Sequence, residues 1–123
     1  MRLWHKDLIS KLPSRQLLGQ HRECCALRGK GWGKKHSVVD YVFRHPYYML
    51  FSYHQKVMNE MRNRGYAVSN EWTNPEYRGK SIGLDTTDFT KMLQISQDYA
   101  EHDNAYLNEC LENLKSKNMI LNN

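Results

Sequence analysis

At 123 residues, with 40% hydrophobic and 25% charged side chains, the chain is sized for one domain with a single modest core and is too apolar to be disordered. No apolar run approaches the roughly 20 residues of a membrane helix, and MRLWHKDLIS lacks the apolar stretch of a secretory signal. The three cysteines, Cys24, Cys25 and Cys110, are too sparse and too odd in number for a disulfide framework, so a cytoplasmic protein with reduced thiols is expected. The net charge of +5 is unevenly spread: nine Lys/Arg face two Asp/Glu in residues 1–36, six face four in 37–80, and three face seven in 81–123. A basic front half and an acidic tail suit a polyanionic partner on one side of the molecule, although a basic face is also an ordinary solvated surface.

Residues 1–12 read as an extended N-terminal arm with short turns. Pro13 suits a helix start, because its missing N–H costs little there, and a helix follows to about residue 28. Leu17, Leu18, His21, Cys24, Cys25 and Arg28 recur at helical spacing, with Gly29 as the stop. Gly29 to His36 forms a glycine-rich basic loop. A second helix begins near Pro46 and runs to about Arg64, with the stripe Tyr47, Leu50, Phe51, His54, Val57, Met58 and Met61 repeating every 3.6 residues and Gly65 as its C-cap. Residues 66–86 are polar and broken by Pro75, Gly79 and Gly83. A third helix is expected from near Thr87, and Asp103 is placed to cap a fourth. The expectation is an all-α single-domain bundle, residues 1–123, whose two central helices face each other, with the arm packed against them.

Several residues can carry chemistry. Gly19 inside the first helix costs roughly 1 kcal/mol relative to Ala, which often marks close approach, here of the arm or of a DNA backbone. Arg22 and Glu23 lie about 100° apart around that helix, so one can meet phosphate while the other faces a reaction centre. From spacing alone the plainer reading, surface residues in local ion pairs, is preferred. Lys30, Lys34 and Lys35 in the glycine-rich loop suit phosphate contacts. Trp32 is read equally well as a stacking or wedging group and as an anchor for the loop. His21 and Cys25, at i and i+4, would converge on a metal, but with neither CxxC nor HExxH present no metal is expected. His54, on the apolar face of the second helix, is expected to be a hydrogen-bonded core histidine. The aromatic run Tyr41, Phe43, Tyr47, Tyr48, Phe51 and Tyr53 is mostly core packing.

The pattern Leu8-Ile9-Ser10-x-Leu12, then Leu17 and, five residues on, Arg22-Glu23, resembles the front of the pyrimidine-dimer DNA glycosylase/AP lyases. The resemblance continues through Glu60-Met61-Arg62-Asn63-Arg64-Gly65-Tyr66 and Pro75-Glu76-Tyr77-Arg78-Gly79, covering roughly residues 2–80. It implies an all-α fold and a free backbone α-amine at the arm's tip that attacks the sugar C1′ of the damaged nucleotide. It also implies a glutamate, here Glu23, that stabilises the charged sugar and assists β-elimination, and an arginine, here Arg22, that holds kinked DNA. An α-amine has an ordinary pKa of about 8, which leaves a neutral, nucleophilic fraction near pH 7.

Two positions depart from the family pattern. Arg2 stands where the family has a small second residue; a large second residue leaves Met1 in place, so Met1 would supply the amine. Ala26 stands where the family has a second arginine, and Arg28 or Lys30 is expected to compensate. The expected site is therefore Glu23, Met1 and Arg2 for catalysis, with Arg22, His21, Lys30, Trp32, Lys34 and Lys35 on double-stranded DNA. We expect one copy of the chain to act, on a pyrimidine dimer or another damaged or modified base, without membrane, metal or organic cofactor. A non-catalytic duplex-binding module on the same fold is the alternative.

Overall fold

The structure is a computed structural model that describes residues 3–29, 45, 47–79, 83 and 99–116. Every regular element among these residues is helical: a 3-10 helix at Lys6–Lys11, α1 at Ser14–Arg28, α2 at Tyr47–Asn63, a second 3-10 helix at Asn70–Thr73, and α3 at Asn104–Ser116. None of the described helices is long and apolar enough to cross a membrane. The helix expected from Thr87 and the loop from Lys30 to His36 lie outside the described residues.

The arm is shorter in reach than expected. Instead of running extended to residue 12, it winds into 3-10 turns at Lys6–Lys11. His5 starts them, its Nδ1 accepting the Asp7 N–H at 3.0 Å. Leu8, Ile9 and Leu12 turn into the core, and burying three aliphatic side chains, each worth about 1.5–3 kcal/mol, outweighs the arm's freedom to stay extended. Pro13 then ends these turns and precedes α1, where its lack of an N–H is harmless.

Helices α1 and α2 pack against each other, as the two apolar stripes require. On α2, Tyr47, Leu50, Phe51, Val57, Met58 and Met61 are all buried. Gly65 closes the helix with a φ of +86°, a left-handed backbone that suits glycine at the position after a helix. Asp103 caps α3, its Oδ1 accepting the Tyr106 N–H at 2.9 Å.

The Glu60-to-Tyr66 segment serves the arm. Arg64 pairs with Glu60 at 2.8 Å and donates to the carbonyls of Leu12 at 2.6 Å and Ser10 at 3.1 Å. These are end-of-helix carbonyls that the 3-10 turns leave without internal partners.

Candidate functional site

Helix α1 divides its polar residues between two environments. Arg22 is exposed and Glu23 half-exposed, while Gln20 and Arg28 are buried. Among the described residues the half-exposed Glu23 carboxylate takes part in no hydrogen bond. The sequence suggests that Gly19 marks the approach of the arm or of a DNA backbone. Among the described residues, a Cβ placed there would meet only the Arg22 guanidinium, at 3.8 Å. At that distance a side-chain carbon would make an ordinary contact, so no close approach among the described residues requires glycine here.

The arm is fastened one turn upstream of Glu23. Gln20 Oε1 accepts the Trp4 N–H at 2.7 Å. The Tyr53 hydroxyl, from α2, lies 2.6 Å from the Trp4 carbonyl and 2.9 Å from Gln20 Oε1, and its one proton serves either acceptor. Tyr106 of α3 donates to the Leu3 carbonyl, and His102 Nδ1 accepts the Lys6 N–H at 3.2 Å. Backbone groups that would otherwise be buried without partners are thereby satisfied. Met1 and Arg2 lie outside the described residues, as do Lys30, Trp32, Lys34 and Lys35. Of the expected site, the structure therefore brings together His21, Arg22 and Glu23, on one turn of α1.

Arg28 corrects the sequence reading. Expected, with Lys30 as the alternative, to stand in for a phosphate-binding arginine, it has no solvent exposure. Its Nε donates to the Tyr47 hydroxyl at 2.8 Å. One terminal nitrogen meets His54 Nδ1 at 3.0 Å and the Trp72 carbonyl at 2.9 Å. The other meets the carbonyls of Asn74 and Tyr77 at 2.8 and 2.9 Å. All five guanidinium N–H donors are thus matched, and the plane lies between the Phe51 and Trp72 rings, with centroids 5.1 and 5.0 Å away. A cation so enclosed is unavailable to DNA; it staples the 72–77 segment onto α1 and α2. Gly29 permits the same close packing, since a Cβ there would sit 2.7 Å from the Arg78 carbonyl oxygen.

His54 is the core histidine that the sequence suggested, fully buried, and it bridges Arg28 to His21. Its Nε2 lies 2.8 Å from His21 Nδ1. Burial first, then the Arg28 charge, then His21, hold the His54 pKa well below the ordinary 6.5. Burial, Arg28 and Arg22 lower His21 in the same direction. Burial pushes the half-buried Cys25 thiol up to about 11, against the Arg28 charge, which favours the thiolate.

The ligand atoms of His21, Cys25 and His54 lie within 4.8 Å of one another, a His/Cys set of the kind zinc accepts. One detail opposes that use. Arg28 donates into His54 Nδ1, which places the His54 proton on Nε2, the atom that would have to bind the metal.

A groove of about 450 Å³ runs between the first 3-10 helix and α2, lined by residues that include Lys6, Ile9, Lys56 and Glu60. None of residues 20–28 or 54 reaches it, so it is separate from the cluster around Glu23.

The family model described as pyrimidine dimer DNA glycosylase matches residues 1–74, a stretch that holds the arm, α1, α2 and every residue of the Glu23 cluster. No curated protein and no solved structure matches the chain.

Proposed function

The chain belongs to the pyrimidine dimer DNA glycosylase family, and from that premise we propose that it excises a damaged or modified base from double-stranded DNA, most simply one of a pyrimidine dimer, with strand nicking through an N-terminal α-amine and Glu23. The observation that carries this reading is the anchoring of the arm. Trp4 is tied to Gln20, three residues before Glu23 on the same helix, and residues 1 and 2 span at most about 7 Å beyond Leu3. An amine at that tip reaches a sugar held beside Glu23.

Each group has a chemical task. The amine of Met1 attacks C1′ as the glycosidic bond breaks, and the base departs with the bonding electrons. The amine then loses a proton, its lone pair forms the C1′–N double bond as the C1′–O4′ bond breaks, and O4′ takes up a proton, leaving a Schiff base to the opened sugar. The Glu23 carboxylate stabilises the positive charge that builds at C1′ and then takes the C2′ proton whose loss expels the 3′ phosphate. Arg2 stands next to the amine in the catalytic group, and Arg22 holds a flanking phosphate, with His21 beside it. Lys30, Lys34 and Lys35 add charge along the backbone, and Trp32 fills the space left in the opened stack. Kinking and flipping cost least where a lesion has already weakened pairing.

Borohydride trapping on three duplexes tests the proposal: one with a single pyrimidine dimer, one with an abasic site, one undamaged. An adduct on the dimer duplex supports both the chemistry and the lesion. An adduct on the abasic duplex alone keeps the amine and rejects the dimer. Duplex binding with no adduct on any of them favours a non-catalytic module. Glu23→Gln should reduce nicking by at least roughly a hundredfold, in line with the loss of a general acid-base group, while lesion affinity stays within about threefold. Normal nicking by that variant would remove Glu23 from the mechanism.

A further inference from the structure

Arg28, His54 and His21 form a chain of hydrogen bonds whose direction is settled at its inner end. A guanidinium only donates, so His54 Nδ1, 3.0 Å from the Arg28 terminal nitrogen, accepts. A neutral imidazole that accepts at Nδ1 carries its proton on Nε2. That N–H meets His21 Nδ1 at 2.8 Å, which accepts in turn and leaves the His21 proton on its own Nε2. Among the described residues, that outer nitrogen has only the Cys25 sulfur near it, at 3.7 Å, and sulfur is a weak acceptor. His21 is half-buried, beside exposed Arg22 and half-exposed Glu23.

We propose that the Arg28–His54–His21 chain locks His21 as a neutral Nε2–H donor for a DNA phosphate oxygen beside the damaged nucleotide, with His54 and Arg28 as positioning residues. The proposal rests on the reading of this site as DNA-acting.

Two other uses of the cluster fit the geometry less well. A cationic His21 would need a proton on Nδ1, facing the His54 N–H, and His54 cannot turn its proton away because Arg28 occupies its other side. Among the described residues, the charged and titratable groups that act on His21 are Cys25, Arg28 and Arg22 on α1 and His54 on α2, with Glu23 two residues along the same helix. Arginines outnumber the single carboxylate, and both Arg28 and Arg22 disfavour the charged ring. A metal held by His21, Cys25 and His54 would require His54 to move its proton to Nδ1 against the Arg28 donor, and would set a second cation beside a buried one. A hydrogen-bond chain ending in a neutral donor meets neither obstacle. It gives His21 a fixed direction without a charge that varies with pH, and leaves the salt-dependent attraction to the lysines and exposed arginines.

The tautomers are directly observable in the free protein by long-range ¹H–¹⁵N correlation of the imidazole rings. His21 and His54 should both be neutral and Nε2-protonated at pH 7. His54→Gln should preserve the His21 state, because its amide can accept from Arg28 and donate to His21. His54→Leu removes the N–H that faces His21 Nδ1, so the His21 ring should take up a second proton more readily than in the wild type. Between pH 7.5 and 5.5, duplex affinity of the Leu variant should then rise roughly three- to tenfold more than that of the wild type, as one added cation meets phosphate. An Nδ1-protonated or charged His21 in the wild type at pH 7 would overturn the proposal. So would equal pH dependence in wild type and Leu variant, or stoichiometric zinc retained by the wild type and lost in Cys25→Ser. Because the ring states are read without DNA, a wrong tautomer defeats this inference alone, whereas absent duplex binding by the wild type defeats the reading it rests on.

Discussion

Gln20 and Arg28 sit eight residues apart on α1, both buried, and each joins α1 to segments distant in the sequence. Gln20 is neutral and ties down the arm through a backbone amide and a tyrosine hydroxyl. Arg28 is charged and ties down the 72–77 segment through three carbonyls, a hydroxyl and an imidazole. The difference lies in what failure costs. A neutral group that loses a partner leaves one orphaned hydrogen bond, whereas a buried cation must keep nearly all its partners or expose its charge to a medium that cannot solvate it. The Arg28 end is thus the stability-critical end of the helix, and the Gln20 end the one that sets where the arm points.

Substitutions at the two ends should separate these roles. Arg28→Met strands three carbonyls and removes the partner of His54; it should cost roughly 3–5 kcal/mol, the range for breaking a buried charged network, read as a large drop in melting temperature. If the Arg28→Met variant were as stable as the wild type, the guanidinium would not be the staple inferred from its contacts. Gln20→Leu should cost less, about 1–3 kcal/mol for one buried N–H without an acceptor. Yet it should lower the rate of covalent trapping more than it lowers duplex affinity, because it loosens the arm and leaves Arg22 in place. An equal loss of both would place Gln20 in structural support only.

A pH experiment sharpens the contrast further, because the Arg28 end holds His54, fully buried against a guanidinium. The folded His54 pKa lies below the ordinary 6.5, so below that value the unfolded chain takes up the proton first. Stability is fully present above about pH 6.5 and falls as the pH drops towards the folded-state value, at up to about 1.4 kcal/mol per pH unit for one proton. Melting temperature should therefore decline from pH 7 to 5 more steeply in the wild type than in His54→Gln. The smallest effect concerns Cys25. A thiol pushed up to about 11 is almost wholly protonated at pH 7.5, so iodoacetamide should label it more slowly than an unhindered cysteine.

The sequence made the helices legible where apolar periodicity is strong. α2 spans Tyr47–Asn63, close to the expected bounds, and α1 ends where Gly29 was expected to stop it. The Asp103 cap was legible because a short acidic side chain before a helix has one favourable use. Short turns were expected in the arm, but their joining into one 3-10 helix at Lys6–Lys11 was not legible, since six residues carry too little periodicity to show it. Arg28 was misread for a physical reason: an arginine in the last turn of a helix is ordinarily solvated and favoured by the helix dipole. Three of its five partners are backbone carbonyls at 72, 74 and 77, which leave no mark on residue type. His54 was read correctly because a histidine within an apolar stripe must find hydrogen bonds. The cluster of His21, Arg22 and Glu23 was visible only through family resemblance, as spacing alone favoured a plain surface.

The hydroxyl of Tyr106 bonds the carbonyl of Leu3 across 103 residues of chain. Closing a loop of that length is entropically slow and is rewarded only once both ends exist. As a nascent chain leaves the ribosome, α1 and α2 can form and pack while the arm still lacks one of its anchors. The arm becomes fully seated only after α3 has emerged, so the end of the chain that carries the proposed nucleophile is made first and fixed last, and a ribosome-bound fragment ending before residue 104 should bind DNA before it can cut it.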